Sequence, residues 1–275
     1  MTSQASWVRP VAAIGVTAVF CLPLYVALVN VFKPSPDIIA SPLALPTPPT
    51  LDNIHRVLSR PDGLYWYGLI NSITLTAASI IITTVLAAMS AYYLVRSEHW
   101  WSRGVLAVML TGLMIPAAAI MLPITRILDG IGLLRTMPGA VLVNVGYYLP
   151  FAVFVFMGFI RSIPRELEEA AAVDGAGRLR TFWQIVFPLL RPASASVLIL
   201  LGVWVWNDFL TPLLVLGPGA GNTVTVGVFR SIGPYQQDFG AVFAFMLLAT
   251  LPVLVFYLAF QKYFVRGLTG GATKG

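Results

Sequence analysis

Residues 63–95 read GLYWYGLINSITLTAASIIITTVLAAMSAYYLV, without one charged side chain. A bilayer core of about 30 Å takes about 20 apolar residues as helix. The run therefore holds one long, tilted membrane helix and is too short for two. The pattern repeats along the chain. Charge-free runs also cover 10–32, 104–125, 136–160, 192–207, 209–229 and 239–261. Composition agrees, at 58% hydrophobic and 10% charged residues with a mean hydropathy of +0.84. One soluble core could not absorb that much apolar surface. The expected fold class is all-α, a polytopic transmembrane helical protein forming a single membrane domain over 1–275. Six spans are expected, at about 11–32, 69–95, 104–125, 138–160, 193–214 and 241–261.

Several function classes drop out. The net charge of +6 comes from 17 Lys+Arg against 11 Asp+Glu. Without aromatic–basic interleaving, this charge reads as loops at a membrane surface and not as nucleic-acid binding. Cys21 is the only cysteine, so no intrachain disulfide forms. His55 and His99 stand apart with no Cys/His cluster, so no metal site is expected. The run 10–32 exceeds a secretory h-region and no small-x-small site closes it, so it reads as a span.

Lys and Arg set the orientation. With the N-terminus inside, segments 1–10, 96–103, 161–192 and 262–275 carry eleven basic residues and the outer segments six. Both termini are then cytoplasmic, as is the loop 161–192. The first outer loop has six prolines between Pro34 and Pro49, which should hold it extended. DNIHRVL (52–58) follows as a short surface helix. The glycine-rich outer segment 216–240 should be a mobile loop.

The densest charge lies in ELEEAAAVDGAGRLRTFWQIVFPLLRP, residues 166–192. Pro164 suits a helix start, and Glu166, Glu168 and Glu169 complement the dipole there. Alanines 170–172 favour helix, and Gly175 and Gly177 stop it. A second helix over RTFWQIVF would end at Pro188. The arrangement Glu169-Ala170-Ala171, Asp174-Gly175-Ala176, Ile185 and Pro188 resembles the EAA loop of bacterial ABC-importer permeases. The fuller form is similar to the carbohydrate-uptake branch, with Phe187 where that family often has leucine. Ile70-Asn71-Ser72, Trp206-Asn207-Asp208-Phe209, and Arg266-Gly267-Leu268-Thr269 with its Gly-Ala-x-Lys-Gly tail extend the likeness over most of the chain.

The resemblance, to the small-subunit type of maltose permease, implies the ABC type I importer permease fold. It implies that the loop is a coupling helix docking on a separate ATPase. Glu169 would be the ion-pairing residue, Ala170 and Ala171 would allow close approach, and Gly175 would bend the chain. Asp174, Ala176, Ile185 and Pro188 complete that set. It implies as partners a second permease, a dimer of ATP-binding subunits, an extracytoplasmic solute-binding protein and a sugar. The setting would be the cell membrane of a prokaryote. This chain would have no catalytic residue and no cofactor of its own; no Walker motif is present, and ATP and Mg belong to the partner. The outer 217–240 loop would reach toward the binding protein, and the tail toward the ATPase.

Asp208 is the one acid placed within an expected span. It lies about 24 Å along the helix from Pro192, toward the outer face. Such acids are functional candidates by default. Trp204, Trp206, Asn207 and Asp208 could contact a sugar in the pore. Equally, Asn207 and Asp208 could satisfy backbone freed near Pro212, with the tryptophans in an interfacial belt. Glycerol-phosphate or amino-sugar compounds are alternative substrates. An ion-coupled secondary transporter is the rival class, but it calls for several buried acids or a repeat of broken helices, and neither is evident.

Overall fold

The computed structural model describes residues 5–97, 99–217, 221–232 and 238–272, the side chains of 5–9 and 261–272 excepted. These residues form helices and connections, with no strand among them. In chain order the helices are α1 (Ala5–Val31), α2 (Ser35–Ala40), α3 (Asp52–Leu58), α4 (Leu64–Arg96), α5 (Trp101–Gly112) and α6 (Ala117–Gly130). They continue as α7 (Met137–Ile160), α8 (Glu166–Val173), α9 (Arg178–Leu189), α10 (Arg191–Asn207), α11 (Val224–Ser231) and α12 (Phe239–Ala272).

Four helices are long and apolar enough to cross a bilayer: Pro10–Val31 within α1, α4, α7 and Phe239–Phe260 within α12. The count reaches six if the bent pairs α5–α6 and α9–α10 each make one span. α4 takes up the charge-free run from Leu64 onward and ends on Arg96, one helix of 33 residues about 50 Å long.

The expected span 104–125 is not one straight helix. α5 and α6 meet at 105° around Pro116, whose backbone is extended. Proline has no N–H for the preceding turn and pushes its predecessor out of the helical region, so the helix stops before it. The expected span 193–214 also ends early. α10 stops at Asn207, Asp208 is extended, and a wide turn over Pro212–Leu216 follows.

Both loops expected on the outer side contain more helix than expected. Within the proline-rich stretch, Ser35–Ala40 is helical because Pro34 and Pro36 fall at the N-cap and first turn, where no N–H is needed. Burial of Ile38 holds that turn. Residues 52–58 are the short helix expected. In the glycine-rich segment, α11 forms with Val224 and Val226 fully buried, so packing overrides weak helix propensity. Residues 218–220 and 233–237 of that segment, and 273–275 of the tail, lie outside the described residues.

The chain divides into two compact units, 1–67 with 226–252, and 68–225 with 253–275. In the first, Asn53 is fully buried and its Nδ2 donates to the carbonyls of Val31 and Lys33, both at 2.7 Å. Arg56 donates to Asn53 Oδ1 and pairs with Asp238 at 2.8 Å. Asp238 accepts in turn from the Ser35 hydroxyl and the Ala241 N–H. This polar knot joins the ends of α1, α2, α3 and α12. In the second unit, α7 is the central helix. Its Ala152, Val153, Phe156 and Ile160 are fully buried, in one core with Val186, Leu190 and Val197. Thr136 starts α7 by accepting the Gly139 N–H at 3.1 Å. A side chain at Gly139 would collide with the Leu133 carbonyl.

Candidate functional site

α8 forms where three glutamates occupy the first turn and three alanines follow. It closes by a Schellman arrangement. Ala176 N–H bonds to Ala171 O at 2.9 Å, and Gly175 N–H bonds to Ala172 O at 3.0 Å. Gly175 has φ +80°, which a side chain would strain. Gly177 is extended and begins α9.

Pro188 does not end the second helix as expected; the helix runs through it to Leu189. The chain widens to π geometry over Phe182–Val186, and Phe187 N–H reaches Phe182 O, five residues back. The wide turn relieves the clash that proline would make with a carbonyl four residues before it. α10 then leaves α9 at 73°. The loop is thus a compact helix–glycine–helix hairpin.

Glu169, Ala170, Asp174 and Gly175 are exposed on this hairpin. Ala176, Ile185 and Pro188 are half-buried, and Ala171 is buried against its own molecule. Leu167, Val173 and Leu179 add exposed apolar surface to the hairpin, Val173 at 89%. On this hairpin Glu168 is bound to another part of the chain. Its carboxylate accepts from Arg96 Nε at 2.8 Å and from the Tyr92 hydroxyl at 2.9 Å. Arg96 also donates to the Ile163 carbonyl at 2.9 Å. Arg96 ends α4 and Glu168 opens α8, so each charge meets the favourable end of its helix dipole. Sequence reasoning missed Tyr92 and Arg96. The available signal was that Arg96 closes the longest charge-free run. A cavity of about 700 Å³ opens beside this cluster, lined by Tyr92, Arg96, His99, Arg165, Glu169 and Arg178.

The second candidate cluster lies at the end of α10, and the structure divides it. Trp204 is 41% exposed, with its ring 4.8 Å from Phe151 and 5.9 Å from Tyr148. Trp204 and Asn207 line a cavity of about 550 Å³ with Leu113, Tyr147, Tyr148, Phe151 and Val203. Trp206 is buried and does not line this cavity. Asp208 caps a broken helix and is not embedded within one. Its Oδ1 accepts the Thr211 N–H at 3.2 Å, and its carbonyl accepts the Thr225 hydroxyl at 2.8 Å. Asn207 Nδ2 donates back to Val203 O at 2.8 Å. These two side chains satisfy backbone around the break before Pro212. Tyr147, Tyr148 and Phe151 were missed; the Tyr-Tyr pair flanking Pro150 was the readable sign. Among the described residues no group of three His, Cys, Asp or Glu could hold a metal.

Four long apolar helices, two sharply bent helix pairs and an exposed helical hairpin are the build of a helical membrane protein with several spans. The chain belongs to the family of binding-protein-dependent transport system inner membrane components, whose model matches residues 83–270. It is 34% identical to a multiple sugar-binding transport system permease protein of Streptococcus mutans, covering 92% of this chain and 91% of the relative. It is 35% identical to a melibiose/raffinose/stachyose import permease of Bacillus subtilis, covering 96% and 95%. A diacetylchitobiose uptake permease of Streptomyces coelicolor is 33% identical over 94% and 84%. In fold the chain is similar to a bacterial ABC transporter involved in import of the acidic polysaccharide alginate, with TM-score 0.81, 21% identity and coverage of 96% and 99%.

Proposed function

We propose that this chain is a permease subunit of an ATP-driven importer for a di- or oligosaccharide, coupled to a separate ATPase through the 166–189 hairpin. The carrying observation is that hairpin: Glu169 and Ala170 stand open on a helix locked in place from behind by Glu168. An exposed carboxylate beside exposed Leu167, Val173 and Leu179 fits a cleft with apolar walls and a basic residue. The sugar class is supported by the relatives and by the aromatic cavity. Trp204, Tyr147 and Tyr148 offer ring faces, and Asn207 offers a polar edge, which together suit a carbohydrate.

In this reading both termini and the hairpin are cytoplasmic, which the excess of basic residues on that side supports. A second permease completes the pathway. Two ATP-binding subunits supply energy with their own ATP and Mg, and an extracytoplasmic binding protein delivers the sugar. This chain binds no cofactor and performs no chemistry on its substrate. Closure of the ATPase dimer moves α8, and the spans reopen alternately to either side.

The test is purification in mild detergent with ATPase assayed on the eluate. An ATPase that co-purifies, and whose activity is lost with Glu169→Lys while the variant remains in the membrane, is expected. A lone protein that transports sugar in liposomes without ATP overturns the reading.

A further inference from the structure

α4 makes specific polar contacts at both of its ends. At Arg96 and Tyr92 it grips both carboxylate oxygens of Glu168, and Arg96 also holds the Ile163 carbonyl. The Arg96 and Glu168 side chains are only 16% and 15% exposed. Tyr92 packs on Phe182 as well, ring centroids 5.4 Å apart, so α9 is held too. At the other end, Asn71 Nδ2 donates to Asn222 O at 2.9 Å, and buried Ser72 accepts the Val224 N–H at 3.0 Å. Beyond that contact Thr225 bonds to the Asp208 carbonyl, next to Asn207 and the aromatic cavity.

Between Ser72 and Tyr92 runs uninterrupted helix without proline, about 30 Å long. It is packed along its length, by buried Leu75 near one end, Ser79, Ile80, Thr83 and Thr84 in the middle, and Ala87, Ala88 and Ala91 near the other. Such a helix has no kink at which a push could dissipate. The contacts at its two ends are side-chain bonds to a short helix and to a connecting segment.

We infer that α4 is a rigid rod joining the coupling helix to the segment 222–225 at the opposite end of the unit, with Arg96, Tyr92 and Glu168 as one joint and Asn71 and Ser72 as the other. These are positioning residues; none touches ATP or sugar. Resting on the importer reading, the rod carries displacement of α8 to the break at Asp208 beside the cavity. In reverse it carries arrival of a loaded binding protein to the ATPase, since coupling between two sites is reciprocal.

The experiment uses the complete complex in liposomes, with binding protein and sugar. The readouts are stimulation of ATP hydrolysis by loaded binding protein, and sugar transported per ATP. Tyr92→Phe, Glu168→Gln and Ser72→Ala each remove hydrogen-bonding groups with little change of shape. Each should lower both readouts about five-fold, the low end of site-to-site coupling. The deciding variant is Glu168→Gln with Ser72→Ala. A rod broken at either end transmits nothing more when broken at both, so the double variant should match the worse single. Distant residues with separate structural roles instead add. Additive losses, or full stimulation in Tyr92→Phe and Ser72→Ala, overturn the rod. A wild-type complex without stimulated hydrolysis overturns the importer reading instead, so the two failures are distinct.

Discussion

Arg96 and Glu168 lie 72 positions apart in sequence, yet their charged groups meet at 2.7 Å where α4 ends and α8 begins. Both side chains are mostly withdrawn from water. Glu168→Gln leaves Arg96 partly buried without its counter-charge and should cost about 2 kcal/mol. Arg96→Ala should cost more, because the Ile163 carbonyl also loses its donor. Thermal unfolding in detergent checks both, and Glu169→Gln, on the open face, should melt with the wild type.

Gly175 closes α8 at φ +80°. No atom would meet an added Cβ there, so only backbone strain opposes a side chain. Gly175→Ala should destabilise the hairpin by about 1 kcal/mol. Gly175→Asn should cost less, since asparagine tolerates the left-handed region better. Limited proteolysis at the 174–178 bend reads the difference as faster cutting of the alanine variant.

Asn53 holds the polar knot of the first unit. Asn53→Leu leaves the Val31 and Lys33 carbonyls without their donor, while Arg56 loses one acceptor and keeps Asp238. A loss of about 2–4 kcal/mol is expected, from two buried acceptors left without a donor. Yield and melting temperature should both fall, and wild-type behaviour would contradict the assigned network.

Trp204 and Trp206 are two residues apart and should respond differently. Trp206 is buried, so Trp206→Ala should cost about 3–5 kcal/mol of stability. Trp204 faces the cavity beside Phe151 and Tyr148. Trp204→Ala should leave a better-folded protein whose apparent affinity for sugar in the uptake assay drops. Equal melting temperatures for the two variants would contradict this division.

Asp62 precedes α4 and is bound bidentately by Arg60, at 3.0 and 2.7 Å, while also accepting the Leu64 N–H at 3.1 Å. The Arg60 hydrogen bonds hold its carboxyl below the usual carboxylate range, with the helix-start N–H adding to them. Its stabilising contribution is complete above the unfolded carboxylate range and disappears as pH falls through the lowered folded value. The pair is half exposed, so the effect is small. Asp62→Asn should flatten the acid limb of melting temperature against pH, and an unchanged limb would contradict the assignment.

Much of the molecule was legible because hydrophobic runs and helix signals are local. The charge-free run became α4 to within one residue at each end, and DNIHRVL became α3 residue for residue. The hairpin at 166–189 followed from glutamates, alanines and a left-handed glycine, all acting within a few residues. Broken helices were less legible. Pro116 stops a helix, whereas Pro123, Pro150, Pro188 and Pro252 lie inside helices. Neighbouring packing and wider turns decide which prolines are absorbed. α11 shows the same limit, since valines of weak helix propensity became helical once buried.

The sequence by itself determined that the chain is a helical membrane protein, where its longest spans lie, and that an acidic, alanine-rich hairpin interrupts them. Periodicity, charge and turn chemistry act over neighbours and need no fold to be read. Only the tertiary structure decided that Glu168, not Glu169, is bound within the chain, and that Trp204 and Trp206 part company. It alone joined Arg96 to α8 and Ser72 to Val224. Such pairings depend on which faces of distant helices meet, and a linear pattern of residue types carries no information on that.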